Sequence, residues 1–143
     1  MSLAEAPVQT IFGQITLDDM RKNELLTRTV LPLVAKVCAH SKGRFTVETV
    51  ADGLLDGSML LWGVMRPPAS LEAILVTRKS NDAFEILIVG PDINDALQYL
   101  PRLGGVARQL ACKRMLMVGP NMWRERLPSD WRRSAVVYER DVV

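Results

Sequence analysis

Three apolar runs follow one another with almost nothing between them: Leu60 to Met65, Leu71 to Arg78 and Phe84 to Val89. Arg66-Pro67-Pro68-Ala69-Ser70 separates the first pair, and Lys79-Ser80-Asn81-Asp82 separates the second. Both breaks are turn-like and too short for a crossover, so consecutive runs predict an antiparallel meander. Ile86-Leu87-Ile88-Val89 is apolar at every position, which predicts a central strand covered on both faces. Such a sheet requires helices on each side.

The flanking sequence supplies them. Thr16 precedes Leu17, Asp18 and Asp19, a helix start with acids in its first turn. Leu25, Leu26, Val30, Leu33, Val34 and Val37 carry the helical period on to about Ala39, with a kink or two shorter helices expected at Pro32. Residues 1–15 read as an N-terminal arm. A second start lies at Thr46, where Val47, Val50, Ala51, Leu54 and Leu55 share a face and Gly57 is placed to end the helix.

Gly90-Pro91-Asp92 breaks the third run, and Asp92 is a candidate cap for a helix over 92–111. Pro101 threatens a kink in it, while Gly104 and Gly105 suggest close approach to the sheet. Arg114 to Val118 reads as a strand. Strand, crossover helix and strand make a βαβ unit, so 84–89 and 114–118 are expected to be adjacent and parallel. Asn121 to Leu127 reads as a short helix at most, and Ala135 to Tyr138 as a last strand. The fold class is α/β in the α+β sense: a mixed sheet in one domain, 16–143, with helices on both faces.

Composition narrows the chemistry. The 143 residues include one histidine, His40, and two cysteines, Cys38 and Cys112, which argues against a metal cluster, a His-centred triad and a disulfide framework. No apolar run reaches the roughly 18 residues of a membrane span. Residues 1–101 carry nine Lys/Arg against twelve Asp/Glu, whereas residues 102–143 carry nine against four. The basic end points either to an anionic partner, DNA or an acidic protein surface, or to a solvated rim of arginines.

The order of these elements resembles the GNAT, or acyl-CoA N-acyltransferase, fold over roughly residues 17–140. It is closer still to small GNAT-like proteins of bacteriophages and prophages. The stretches that carry this are Leu61-Trp62, Ile74-Leu75-Val76-Thr77, Cys112-Lys113-Arg114-Met115, and Gly119-Pro120-Asn121-Met122-Trp123-Arg124-Glu125-Arg126-Leu127. The branch resemblance implies a virion-associated or assembly protein, located in the virion or in the host cytoplasm during assembly, with other virion proteins as partners. The wider fold implies N-acetyl transfer from acetyl-CoA.

Active GNAT enzymes cradle the pyrophosphate of acetyl-CoA in a Gln/Arg-x-x-Gly-x-Gly/Ala turn whose backbone N–H groups face the phosphates. The matching stretch here is Val89-Gly90-Pro91-Asp92-Ile93-Asn94-Asp95. It has a single glycine, a proline without an N–H, and two carboxylates that repel phosphate. The expectation is no cofactor and a non-catalytic protein acting through protein contacts; the alternative is an N-acetyltransferase with an atypical loop. Glu85, as a base, and Tyr138, as an acid, are the catalytic candidates, against a paired glutamate and a packing aromatic. Trp123, Trp131, Arg132 and Arg133 are the partner-binding candidates, because Trp and Arg are the types enriched at binding hot spots. For Trp131 the competing expectation, of equal weight, is that it packs back on the sheet.

Overall fold

In the computed structural model, which describes residues 10–40, 45–67, 70–89, 94–117, 127, 131 and 132, five strands form one sheet. They are β1 (Ile11–Ile15), β2 (Met59–Arg66), β3 (Ser70–Ser80), β4 (Ala83–Val89) and β5 (Arg114–Met117), and they lie side by side in chain order. Pairings from β1 to β4 are antiparallel, so the meander forms as expected. β4 and β5 are parallel, with Ala83 opposite Arg114 and Ile86 opposite Met117. The βαβ expectation therefore holds. The predicted elements at 121–127 and 135–138 lie outside the described residues, apart from Leu127.

The strand period sorts the core into two layers. Phe12, Trp62, Val64, Leu75, Phe84, Ile86 and Ile88 face one side, where helices α4 (Asn94–Leu97) and α5 (Leu100–Gln109) contribute Ala96, Leu100, Leu103 and Ala107. Leu61, Leu71, Ile74, Val76 and Leu87 face the other side, where α2 (Glu24–His40) and α3 (Val47–Asp56) contribute Val30, Leu33, Val34, Val37 and Val50. β4 is thus covered on both faces. One irregularity crosses layers. The β2–β3 register passes from Val64↔Ala73 to Met65↔Leu71, so Glu72 is an extra residue on β3. That bulge turns Leu71 to the face opposite Ala73.

Three expectations need correction. Residues 11–15 are not part of a free arm, because they form β1, paired through Gly13↔Gly63 to β2. Sequence period hid this strand, since IFGQI is short and Gly13 interrupts one of its faces. The first long helix breaks at Asn23, not at Pro32. α1 (Leu17–Lys22) is a separate turn with a capping box between Thr16 and Asp19, and Pro32 sits inside α2. Thr27 there donates to the Met20 carbonyl, tying α2 to α1. The third correction is the crossover helix. It is two pieces, with α5 restarting at Leu100 and Pro101 in its first turn, where a missing N–H costs nothing.

The local signals at the other boundaries are read correctly. Thr46 caps α3, with its Oγ1 accepting from the Thr49 N–H at 3.0 Å, and Gly57 ends the helix at φ 81°. Asn81 carries φ 56° in the two-residue turn between Ser80 and Ala83. The Asp19 carboxyl is held below its ordinary pKa, first by the Thr16 backbone N–H that it accepts. Its depressed value means that this cap contributes above the unfolded carboxylate pKa and is lost as pH falls through the folded one.

Gly53 makes the closest approach in the α3 layer. A Cβ there would stand 2.5 Å from Met59 Cγ and 2.9 Å from Met59 Cβ. Gly53→Ala is expected to destabilise the protein by about 1–3 kcal/mol through overpacking. Thermal denaturation checks this, and an unchanged Tm would mean that α3 lifts freely from β2.

Candidate functional site

The site implied by the fold lies where β4 ends and the crossover begins. Val89 closes β4 opposite Ile74. Gly90, Asp92 and Ile93 lie outside the described residues, and Asn94 opens α4. α4 ends at Leu97, and Gln98 and Tyr99 interrupt the run before α5.

Glu85 sits at the opposite end of β4, four residues or ~13 Å from Val89 at strand rise. It is buried and accepts from Arg78 Nε at 2.9 Å, from directly across the β3–β4 ladder. The Arg78 guanidinium also lies over the Phe45 ring, 4.4 Å from its centroid. A strand register that puts Arg78 opposite Glu85 on an otherwise apolar face makes the pair the natural way to bury both. Two open clefts, of about 370 and 610 Å³, adjoin this end of the sheet and share Ser58, Arg78 and Lys79.

A cluster that sequence reasoning missed sits on the α5 side. The rings of Trp62 and Phe12 stack at 5.4 Å, and those of Phe12 and Tyr99 at 4.7 Å. The exposed Arg102 closes the stack 5.1 Å above Phe12. Trp62 Nε1 donates to Thr77 Oγ1 at 3.0 Å, which satisfies two buried polar groups at once. The Tyr99 hydroxyl donates to the Thr10 carbonyl at 2.9 Å. Trp62 is core. Its ring partner Phe12 belongs to the unrecognised β1, so the stack was invisible.

Among the partner-binding candidates, Trp131 is half-buried against this same layer, as is Leu127, while Arg132 is exposed. Trp123, Arg133 and the acid candidate Tyr138 lie outside the described residues. Gly104 approaches Met115 of β5, with its Cβ position 3.6 Å from the sulfur, whereas Gly105 faces open space. Among the described residues no group of three or more His, Cys, Asp or Glu could hold a metal.

No family model matches the sequence, and no curated protein matches it significantly. The fold, by contrast, is shared along nearly the whole chain with solved acetyltransferases. One, described as a "probable acetyltransferase", superposes with a TM-score of 0.60 at 12% identity, covering 92% of this chain and 99% of its own. The aminoglycoside N-acetyltransferase AAC(6')-Iy in complex with CoA gives 0.58 at 9% identity, covering 97% and 99%. An aminoglycoside acetyltransferase from an uncultured soil metagenomic sample, in complex with sisomicin, gives 0.58 at 10%, covering 93% and 97%. The chain therefore has the GNAT-like acetyltransferase fold. At these identities the likeness is one of fold.

Proposed function

We propose that this chain is an N-acyltransferase that takes its acyl group from acetyl-CoA and holds the coenzyme's phosphates weakly. The supporting observation is the end-to-end match to acetyltransferases, among them one in complex with CoA. The meander followed by the parallel β4–β5 pair gives the frame on which such a coenzyme would lie. When bound, the coenzyme supplies an activated thioester for an amine acceptor. The residues that would face its phosphates are the backbone of Val89 to Asn94.

The frame fits the coenzyme; the phosphate grip is poor. Pro91 offers no N–H, and Asp92 and Asp95 bring like charge. One like charge at the exposed edge of a phosphate site is worth about 0.3–1 kcal/mol, the order of a single solvent-exposed charge interaction. Asp92→Asn and Asp95→Asn are therefore each expected to tighten CoA binding by roughly twofold to fivefold. Titration calorimetry with acetyl-CoA and CoA measures this. Saturable binding that strengthens in the variants supports the transferase. Absence of binding in wild type and in the double variant would remove it.

That loop favours a second reading, in which the fold is kept and transfer is lost. The chain would then be a phage- or prophage-encoded assembly or virion protein acting through protein contacts. Trp131 and Arg132, with Trp123 and Arg133, would be its contact residues, and other virion proteins, an acidic surface or DNA its partners. Mass spectrometry of purified particles tests that reading. Absence of the chain from particles would sink it.

A further inference from the structure

The two helical layers present complementary outer faces. On α3, Val47, Ala51 and Leu55 recur every fourth residue and all point to solvent, with Val47 49% and Leu55 66% exposed. Glu48, Asp52 and Asp56 run beside them at the same spacing, also exposed. Among the described residues Glu48 and Asp52 have no ion-pair partner, and Asp56 is engaged by the nearby Ser58, whose N–H it accepts at 2.8 Å. Two cations lie close but are engaged elsewhere: Arg78 with Glu85, and Lys79 with the Leu110 carbonyl at 2.8 Å. A helix whose inner face already packs on β2 through Val50 and Gly53 thus exposes a second apolar stripe edged with negative charge.

α5, on the opposite face of the sheet, is its counterpart in charge. Arg102, Gly105 and Arg108 lie along its outer side, all exposed, and Lys113 follows just beyond it. Nothing stands within 4 Å of the Gly105 Cβ position, so the helix surface between the two arginines is low and open. No acid occurs in the sequence from Ala96 to Arg124. A low floor between cations suits an apolar ridge edged with acids.

We propose that the chain self-associates head to tail, the outer face of α3 on one copy seating on the outer face of α5 of the next. The two patches differ and lie on opposite faces of the sheet, so the contact is heterologous and builds a ring or an open chain of copies, not a two-fold dimer. The inference is independent of whether CoA binds. Two ten-residue helices make a contact at the small end of specific interfaces, whose standard size is roughly 1,200–2,000 Å². The association is therefore weak, rises with concentration and falls with salt.

Sedimentation velocity across a concentration series tests it, with circular dichroism to confirm that each variant folds. Wild type is expected to shift from monomer to larger species as concentration rises, and to return to monomer in high salt. Glu48→Lys/Asp52→Lys and, separately, Arg102→Glu/Arg108→Glu are each expected to abolish the shift. Because Arg102 also stacks on Phe12, Arg108→Glu/Lys113→Glu serves as the second basic-face variant. Mixing an α3 variant with an α5 variant is expected to restore association, since each then offers what the other lacks. A wild-type chain that stays monomeric throughout overturns the proposal. So does association that survives both reversals, or a mixture that remains monomeric. A monomer retained by a DNA duplex through Arg108 would overturn it in favour of nucleic acid.

Discussion

Trp62→Ala is expected to destabilise the protein by roughly 3–5 kcal/mol, the range for truncating a buried large aromatic. Trp62 is 9% exposed, and three elements depend on it. Its ring supports Phe12 of β1 at 5.4 Å, and Phe12 in turn supports Tyr99 at the entrance to α5. Its Nε1 also satisfies the Thr77 hydroxyl inside the sheet. Removal leaves a cavity between β1 and α5 and an unpaired hydroxyl on β3. Trp62→Phe separates these terms. It retains most of the ring area, loses the hydrogen bond, and should cost about 1–3 kcal/mol from the orphaned hydroxyl. Chemical denaturation of the pair of variants measures both. Equal losses for Trp62→Phe and Trp62→Ala would mean that the stack contributes nothing beyond the hydrogen bond.

The same stack shows why the sequence was informative in some places and silent in others. The meander was legible because short connections leave adjacent strands one way to pair, whatever surrounds them. The α3 boundaries were legible because a cap and a C-terminal glycine act within a few residues. β1 was not, because a five-residue edge strand containing Gly13 has too little period to register, and its one buried side chain, Phe12, is paid off by residues 50 and 87 positions away. Pro32 and Pro101 misled in a related manner. A proline's cost depends on whether its N–H was needed and what the carbonyl four residues back is doing, and neither is visible locally. In the candidate site the donor chemistry of Gly90 to Asp95 was readable from residue types alone.

Arg78→Met is expected to cost about 3–5 kcal/mol, because it removes one partner of a buried charge pair and keeps the other. Glu85 has a side chain only 7% exposed, and Arg78 Nε reaches it at 2.9 Å from the neighbouring strand. Methionine preserves much of the apolar stem over Phe45, so packing loss is small and the charge dominates. The reverse change is milder. Arg78 has a side chain 29% exposed, so without its partner its guanidinium turns toward water, whereas the Glu85 carboxylate has little water to reach. The double variant Arg78→Met/Glu85→Leu decides the matter. A buried ion pair replaced by apolar groups of similar size is often neutral or better, so the double variant should recover most of the stability lost by Arg78→Met. Denaturant midpoints of wild type, both single variants and the double variant close the cycle. A double variant no more stable than Arg78→Met would show that Arg78 acts through contacts other than Glu85. Recovery would mark Glu85 as a residue the fold holds in a pair, which is a different task from taking a proton from an amine.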